Sequence, residues 1–196
     1  MSKQIEFYFD FTSPWTYMAS TQLPQLAQKY NAEIIYKPAL LGGIFKSTGN
    51  VAPATLPAKG KWMLIDLQRH AKKYGVPFQM PPIFPVNTVR VMRGVLVAMQ
   101  DGYFEDYYAA LWPAIWVDGR DLGNTAVLLE VVREIGQDPE QFAERIEEPA
   151  IKQALIERTA EAVERGLFGM PTFFIDGEMY FGQDRMNFVE DALKSG

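Results

Sequence analysis

The chain has 196 residues, 48% hydrophobic and 22% charged, the balance of a soluble globular protein rather than a disordered or fibrous one. Its net charge of −5 denies it the basic surface that nonspecific nucleic-acid binding needs. It has no cysteine and a single histidine, His70, which excludes disulfides, thiolate zinc sites, protein-borne thiol redox chemistry and multi-histidine metal sites.

Ile5-Glu6-Phe7-Tyr8-Phe9-Asp10-Phe11 alternates large apolar residues with more polar ones, the period of two of a strand. Thr12-Ser13-Pro14 follows. Serine is a favoured N-cap, and proline is tolerated at the first helical position because its missing N–H needs no partner there. A helix is predicted over about 14–28, with Pro24 as a point of kinking. Residues 33–37 read as a second strand ending at Pro38, which completes a parallel, right-handed strand–helix–strand unit. Residues 39–58 are rich in Gly, Pro, Ser, Thr and Asn and read as a long loop, of a length more often functional than idle. Amphipathic helices are predicted over 62–74, 88–100, 103–116, 125–135 and 149–165, with a proline-dense extended connection at 77–85. The hairpin signal Asp176-Gly177 sits between two short strand patterns, 171–175 and 178–181, and residues 184–194 read as a closing helix. No stretch joins basic residues to a long apolar run, and none is apolar for long enough to span a bilayer, so a cytoplasmic protein without a membrane partner is expected.

This order fits an α/β protein of thioredoxin-like fold with an inserted all-helical domain. The thioredoxin-like part is assigned to 1–58 and 150–196 and the insertion to 59–149. In such a fold Thr12-Ser13-Pro14-Trp15 and Gly169-Met170-Pro171-Thr172 lie side by side. The first is the helix N-terminus that holds C-x-x-C in redox relatives, and the second is the loop with a cis-proline. Met170–Pro171 is predicted to be cis, because cis bonds are almost confined to X–Pro and mark specified turns. A helix N-terminus favours a bound anion, and a serine hydroxyl there can donate to a thiolate. On spacing alone the plainer reading is favoured, Ser13 as a helix cap and Pro171 as a turn former, because Ser-Pro at a helix start is common.

The strings Phe9-Asp10-Phe11-Thr12-Ser13-Pro14-Trp15-Thr16-Tyr17, Lys37-Pro38-Ala39-Leu40-Leu41-Gly42-Gly43, Phe84-Pro85-Val86-Asn87-Thr88 and Gly169-Met170-Pro171-Thr172-Phe173-Phe174 run in one order along the chain. Together they resemble 2-hydroxychromene-2-carboxylate isomerases and kappa-class glutathione transferases. The resemblance implies a thioredoxin-like fold, glutathione as cofactor, a homodimer and a small aromatic substrate. It also implies site residues: Ser13 facing the glutathione sulfur, Asn50 and Lys59 contacting glutathione from the long loop, the Met170 backbone before Pro171 pairing with its cysteinyl part, and Gln183-Asp184 holding its γ-glutamyl end. The kappa class has Ser-Asp at that last pair, so Gln-Asp leans towards the isomerases. Each residue has a plainer alternative: Asn50 as a turn former, Lys59 as a solvated charge, Asp184 as an N-cap. Lys37 is a candidate for a substrate carboxylate and equally a surface lysine. His70 is given no catalytic role. Among Tyr8, Trp15, Tyr17, Trp62, Trp112 and Trp116, most are expected in the core. The implied activity is glutathione-dependent cis–trans isomerisation between 2-hydroxychromene-2-carboxylate and trans-o-hydroxybenzylidenepyruvate, or a related aromatic pyruvate. The alternatives are a kappa-like transferase and a non-catalytic or chaperone-like protein.

Overall fold

The computed structural model describes residues 3–194; the outermost residues of the predicted domain halves, 1–2 and 195–196, lie outside that range. Four strands form one mixed sheet in the order β2-β1-β3-β4. β1 (Gln4–Phe9) is parallel to β2 (Glu33–Pro38), with helix α1 (Pro14–Lys29) as the crossover. β1 is antiparallel to β3 (Thr172–Ile175), which returns through a hairpin to β4 (Glu178–Phe181). Asp176 and Gly177 both have positive φ, 50° and 84°, as a tight two-residue hairpin turn demands.

β1 is the central constraint on packing, because both of its faces are covered. Ile5, Phe7 and Phe9 enter the main core, where Phe7 stacks on Phe173 with ring centroids 5.3 Å apart. On the other face Tyr8 joins a smaller cluster with Ile44, Leu167, Met170 and Phe174. The predicted helices appear as α3 (Pro57–Tyr74), α4 (Val89–Asp101), α5 (Phe104–Trp116), α6 (Thr125–Glu134) and α8 (Pro149–Glu164), after α2 (Leu41–Thr48) and with α7 (Pro139–Arg145) added between. A 3-10 turn at Gln183–Arg185 leads into α9 (Met186–Lys194). α7 has no apolar period to mark it, because Phe142 is its one buried residue. No described helix is long and apolar enough to cross a membrane.

α2 occupies the first part of the segment whose composition predicts a loop. Its glycine at position 43 has a packing reason: a Cβ there would meet Thr159 Cγ2 of α8 at 2.9 Å. Thr159 Oγ1 also accepts the Leu40 N–H at 3.0 Å, so the start of α2 is docked directly onto α8. Glycine here reports a close helix approach, not a flexible loop.

Just past β1, Asp10 is fully buried. Its Oδ1 accepts from Thr88 Oγ1 at 2.6 Å and from the Thr12 N–H at 3.1 Å, and its Oδ2 accepts from the Leu41 N–H at 2.8 Å. The three donors belong to the β1–α1 connection, the start of α2 and the residue before α4. Burial pushes the Asp10 carboxyl above its ordinary 3.8, against the pull of those hydrogen bonds. A carboxyl raised in the folded state favours folding most while protonated. That contribution is complete below 3.8 and is lost as pH climbs through the raised value.

Two expectations follow from this packing. Gly94→Ala should destabilise the protein by about 2–3 kcal/mol, because the new Cβ would press on Tyr107 Oη and lie 2.5 Å from Phe142 Cζ. An unchanged denaturation midpoint contradicts that. Asp10→Asn should cost about 1–3 kcal/mol, with the gap to wild type narrowing as pH rises above 3.8. Urea unfolding across that pH range checks the sign, and a gap that widens with pH contradicts it.

Candidate active site

Ser13 stands at the N-cap of α1 and is buried. Its Oγ accepts the Thr16 N–H at 3.1 Å, and its hydroxyl donates to the Met170 C=O at a long 3.3 Å. The serine is therefore a cap and a bridge at once: a lone pair holds the helix, while the proton reaches the residue before Pro171. Met170–Pro171 is cis, as is Phe84–Pro85. The Pro171 C=O accepts the Gly182 N–H at 2.9 Å and so anchors the loop to the end of β4. In the first turn of α1, Pro14 has no N–H, that of Thr16 is taken by Ser13 Oγ and that of Tyr17 by the Ser13 C=O. Among the described residues this leaves the Trp15 N–H as the first-turn donor without a recorded partner, at the positive end of the helix where an anion is favoured.

These groups open onto a cavity of about 540 Å³ lined by Ser13, Met170, Asn50 and Lys59 among others. That size lies within the usual range for small-molecule sites. Four sequence-predicted residues thus meet in one place. Asn50 Nδ2 donates to the Phe168 C=O at 2.8 Å, tying the connection after α2 to the cis-proline loop. Lys59, in the first turn of α3, is exposed at the rim and makes no ion pair among the described residues. The walls are apolar, with Leu56, Phe84, Val86, Phe168 and Phe181 contributing. Phe84 and Val86 are wall residues that reading for chemistry passes over. The proline density of 77–85 is the available signal, and Thr12 Oγ1 fixes this wall by donating to the Val86 C=O at 2.9 Å.

Gln183 and Asp184 do not line that cavity. They border a separate groove with Lys29, His70, Tyr74 and Glu190. Trp15 lines the cavity, His70 borders the groove, and the two rings meet edge-on with centroids 5.7 Å apart, so the two spaces adjoin across one aromatic pair. Asp184 is exposed and ion-paired with Arg185. Lys37 lies elsewhere again. Its ammonium is 3.4 Å from Glu6, and it borders a depression shared with Tyr8 and Arg158. The Arg165 guanidinium beside Glu6, helped by Lys37 and opposed by partial burial, holds that carboxyl below its usual range. Of the candidate pocket aromatics, Tyr8, Tyr17, Trp112 and Trp116 are core, Trp62 is exposed, and Trp15 alone is in the cavity wall.

The family model of the DSBA-like thioredoxin domain matches residues 4–194. A 2-hydroxychromene-2-carboxylate isomerase from Sphingobium xenophagum is 32% identical over 195 residues, covering 98% of this chain and 99% of its own. Glutathione S-transferase kappa 1 from Caenorhabditis elegans is 30% identical over 205 residues, covering 97% of this chain and 91% of its own. A solved structure of a 2-hydroxychromene-2-carboxylate isomerase superposes with a TM-score of 0.88 at 31% identity, covering 97% of this chain and 94% of that one. The strand order, the cis-proline beside a helix N-terminus and these full-length likenesses agree, and the chain belongs to the DSBA-like thioredoxin family, in the group that holds the 2-hydroxychromene-2-carboxylate isomerases and the kappa-class glutathione transferases.

Proposed function

We propose that this protein is a glutathione-dependent cis–trans isomerase of the 2-hydroxychromene-2-carboxylate type, acting on an aromatic pyruvate that equilibrates with its cyclic hemiketal. The observation that carries the reading is Ser13. In a chain without cysteine, a buried serine hydroxyl at a helix N-terminus faces an apolar-walled cavity, its proton held by a 3.3 Å bond. These residues fit a borrowed thiol. When bound, glutathione supplies a thiolate that adds reversibly to a conjugated double bond and so lets it rotate.

The protein's own part is electrostatic and positional. The Ser13 lone pair stays with the Thr16 N–H, which fixes the oxygen. Its proton is free to turn from the Met170 C=O towards a sulfur, because a 3.3 Å bond is long for a hydroxyl donor. The Trp15 N–H and the α1 dipole add positive potential at the same point. Ser13 is no nucleophile in this reading, since the one histidine, the usual activating base, lies beside Gln183. Asn50 and Lys59 offer a donor and a cation at the mouth. Asp184 suits an α-ammonium group, and the start of α9 an α-carboxylate. Apolar walls keep water from the thiolate and suit an aromatic substrate. The reading includes the homodimer that the resemblance implies.

The kappa-class likeness gives a second reading weight: a transferase using the same groups on an electrophile. An isomerase returns its thiol at every turnover and a transferase consumes it, so glutathione consumption per turnover separates the two. Ser13→Ala is expected to lower the glutathione-dependent isomerisation rate by about 10²–10³ and to leave the fold intact. Unchanged activity in that variant contradicts the role given to Ser13.

A further inference from the structure

We propose that His70, braced by Trp15 and working with Tyr74, is a positioning residue that fixes the Gln183 amide for the γ-glutamyl end of a glutathione-like ligand. The inference rests on the glutathione reading above and extends it to a side chain that itself touches no ligand.

Gln183 is 4% exposed, so the direction of its amide is set by protein partners rather than by water. Tyr74 Oη donates to Gln183 Oε1 at 2.8 Å. That leaves the Nε2 end of the amide 3.1 Å from His70 Nε2. An amide nitrogen only donates, so His70 Nε2 must offer its lone pair, and the ring proton sits on Nδ1. Asp66 Oδ2 is 3.7 Å from the same ring nitrogen, beyond hydrogen-bond reach, so Gln183 is the closer partner. His70 Nδ1 is buried with no hydrogen-bond partner among the described residues.

The ring itself is held. Trp15 packs on it edge-on, and Tyr74 lies one helical turn away on α3 with ring centroids 5.6 Å apart. A rigid helix therefore dictates which end of the Gln183 amide is which. With one N–H and one Oε1 lone pair spent on α3, the amide keeps a second N–H and a second lone pair. Gln183 borders the groove together with Asp184, Lys29 and Asn187. A γ-glutamyl end carries both an ammonium and a carboxylate. An amide of fixed sense beside the Asp184 carboxylate discriminates between them, and a freely flipping amide does not.

The test compares two thiols by calorimetry: glutathione, and cysteinylglycine, which lacks the γ-glutamyl group. His70→Phe keeps an aromatic ring against Trp15 and removes the acceptor. It should weaken glutathione binding about tenfold and leave cysteinylglycine within about twofold of wild type. His70→Gln, which restores an acceptor, should recover most of the loss. Equal weakening for both thiols, or no weakening for glutathione, overturns the inference. Wild type binding both thiols equally well also overturns it, while leaving the thiol site at Ser13 standing. Wild type binding neither thiol removes the glutathione reading and this inference with it.

Discussion

A buried carboxylate at Asp10 ties together segments that are far apart in the chain. It takes donors from Thr12, Leu41 and Thr88, and each of those residues lines the cavity. The cavity walls are therefore fastened to the end of β1, an interior strand of the sheet. Among the described residues no cation pairs with this carboxylate, and burial pushes its titration upward, so the fold carries a cost at neutral pH for holding the walls in register. The same connection, three residues on, sets Ser13 at the start of α1.

In the proposed reading one oxygen, that of Ser13, serves both folding and chemistry. This turn is where a redox protein of this fold is expected to carry its reactive sulfur. Here the turn keeps the helix dipole, the neighbouring cis-proline loop and the open cavity, and substitutes a donor for the sulfur. In the proposed reading, what such a site stabilises is a thiolate brought by a ligand. The cap bond to Thr16 uses a lone pair of the hydroxyl and the bond to Met170 its proton, so releasing the second leaves the first intact. The stabilising interaction can change partner without disturbing the helix it starts.

Local features were legible in the sequence where one short segment determines them. The alternation around Phe7, the Ser13-Pro14 start of α1 and the Asp176-Gly177 turn all appear as read, and Met170–Pro171 is cis. Gly43 misleads because its small size serves contact with Thr159 of α8, a tertiary fact that composition alone reads as a loop. α7 escapes notice because it buries a single residue. Within the site, Ser13, Asn50, Lys59 and Met170 meet in one cavity, whereas Gln183 and Asp184 lie across the Trp15–His70 pair and Lys37 is turned to Glu6. Which side of an aromatic pair a residue falls on, or which carboxylate a lysine finds, depends on packing between distant segments. His70 illustrates the same limit. As a lone histidine on a helix it carries no chemical signal until the fold brings Gln183 to its ring.

In the proposed function the site holds a thiol in its ionised form. A free cysteinyl thiol, with an ordinary value of about 8.5, is mostly protonated at neutral pH. Binding at Ser13 should therefore expel its proton into solution. Calorimetric titration of glutathione into the protein at neutral pH, in buffers of different ionisation heat, measures that proton directly. Close to one proton should be released per glutathione bound. Binding with no proton released contradicts that function, because the thiol would then sit in the cavity unionised and the serine, the helix end and the apolar walls would have no anion to hold.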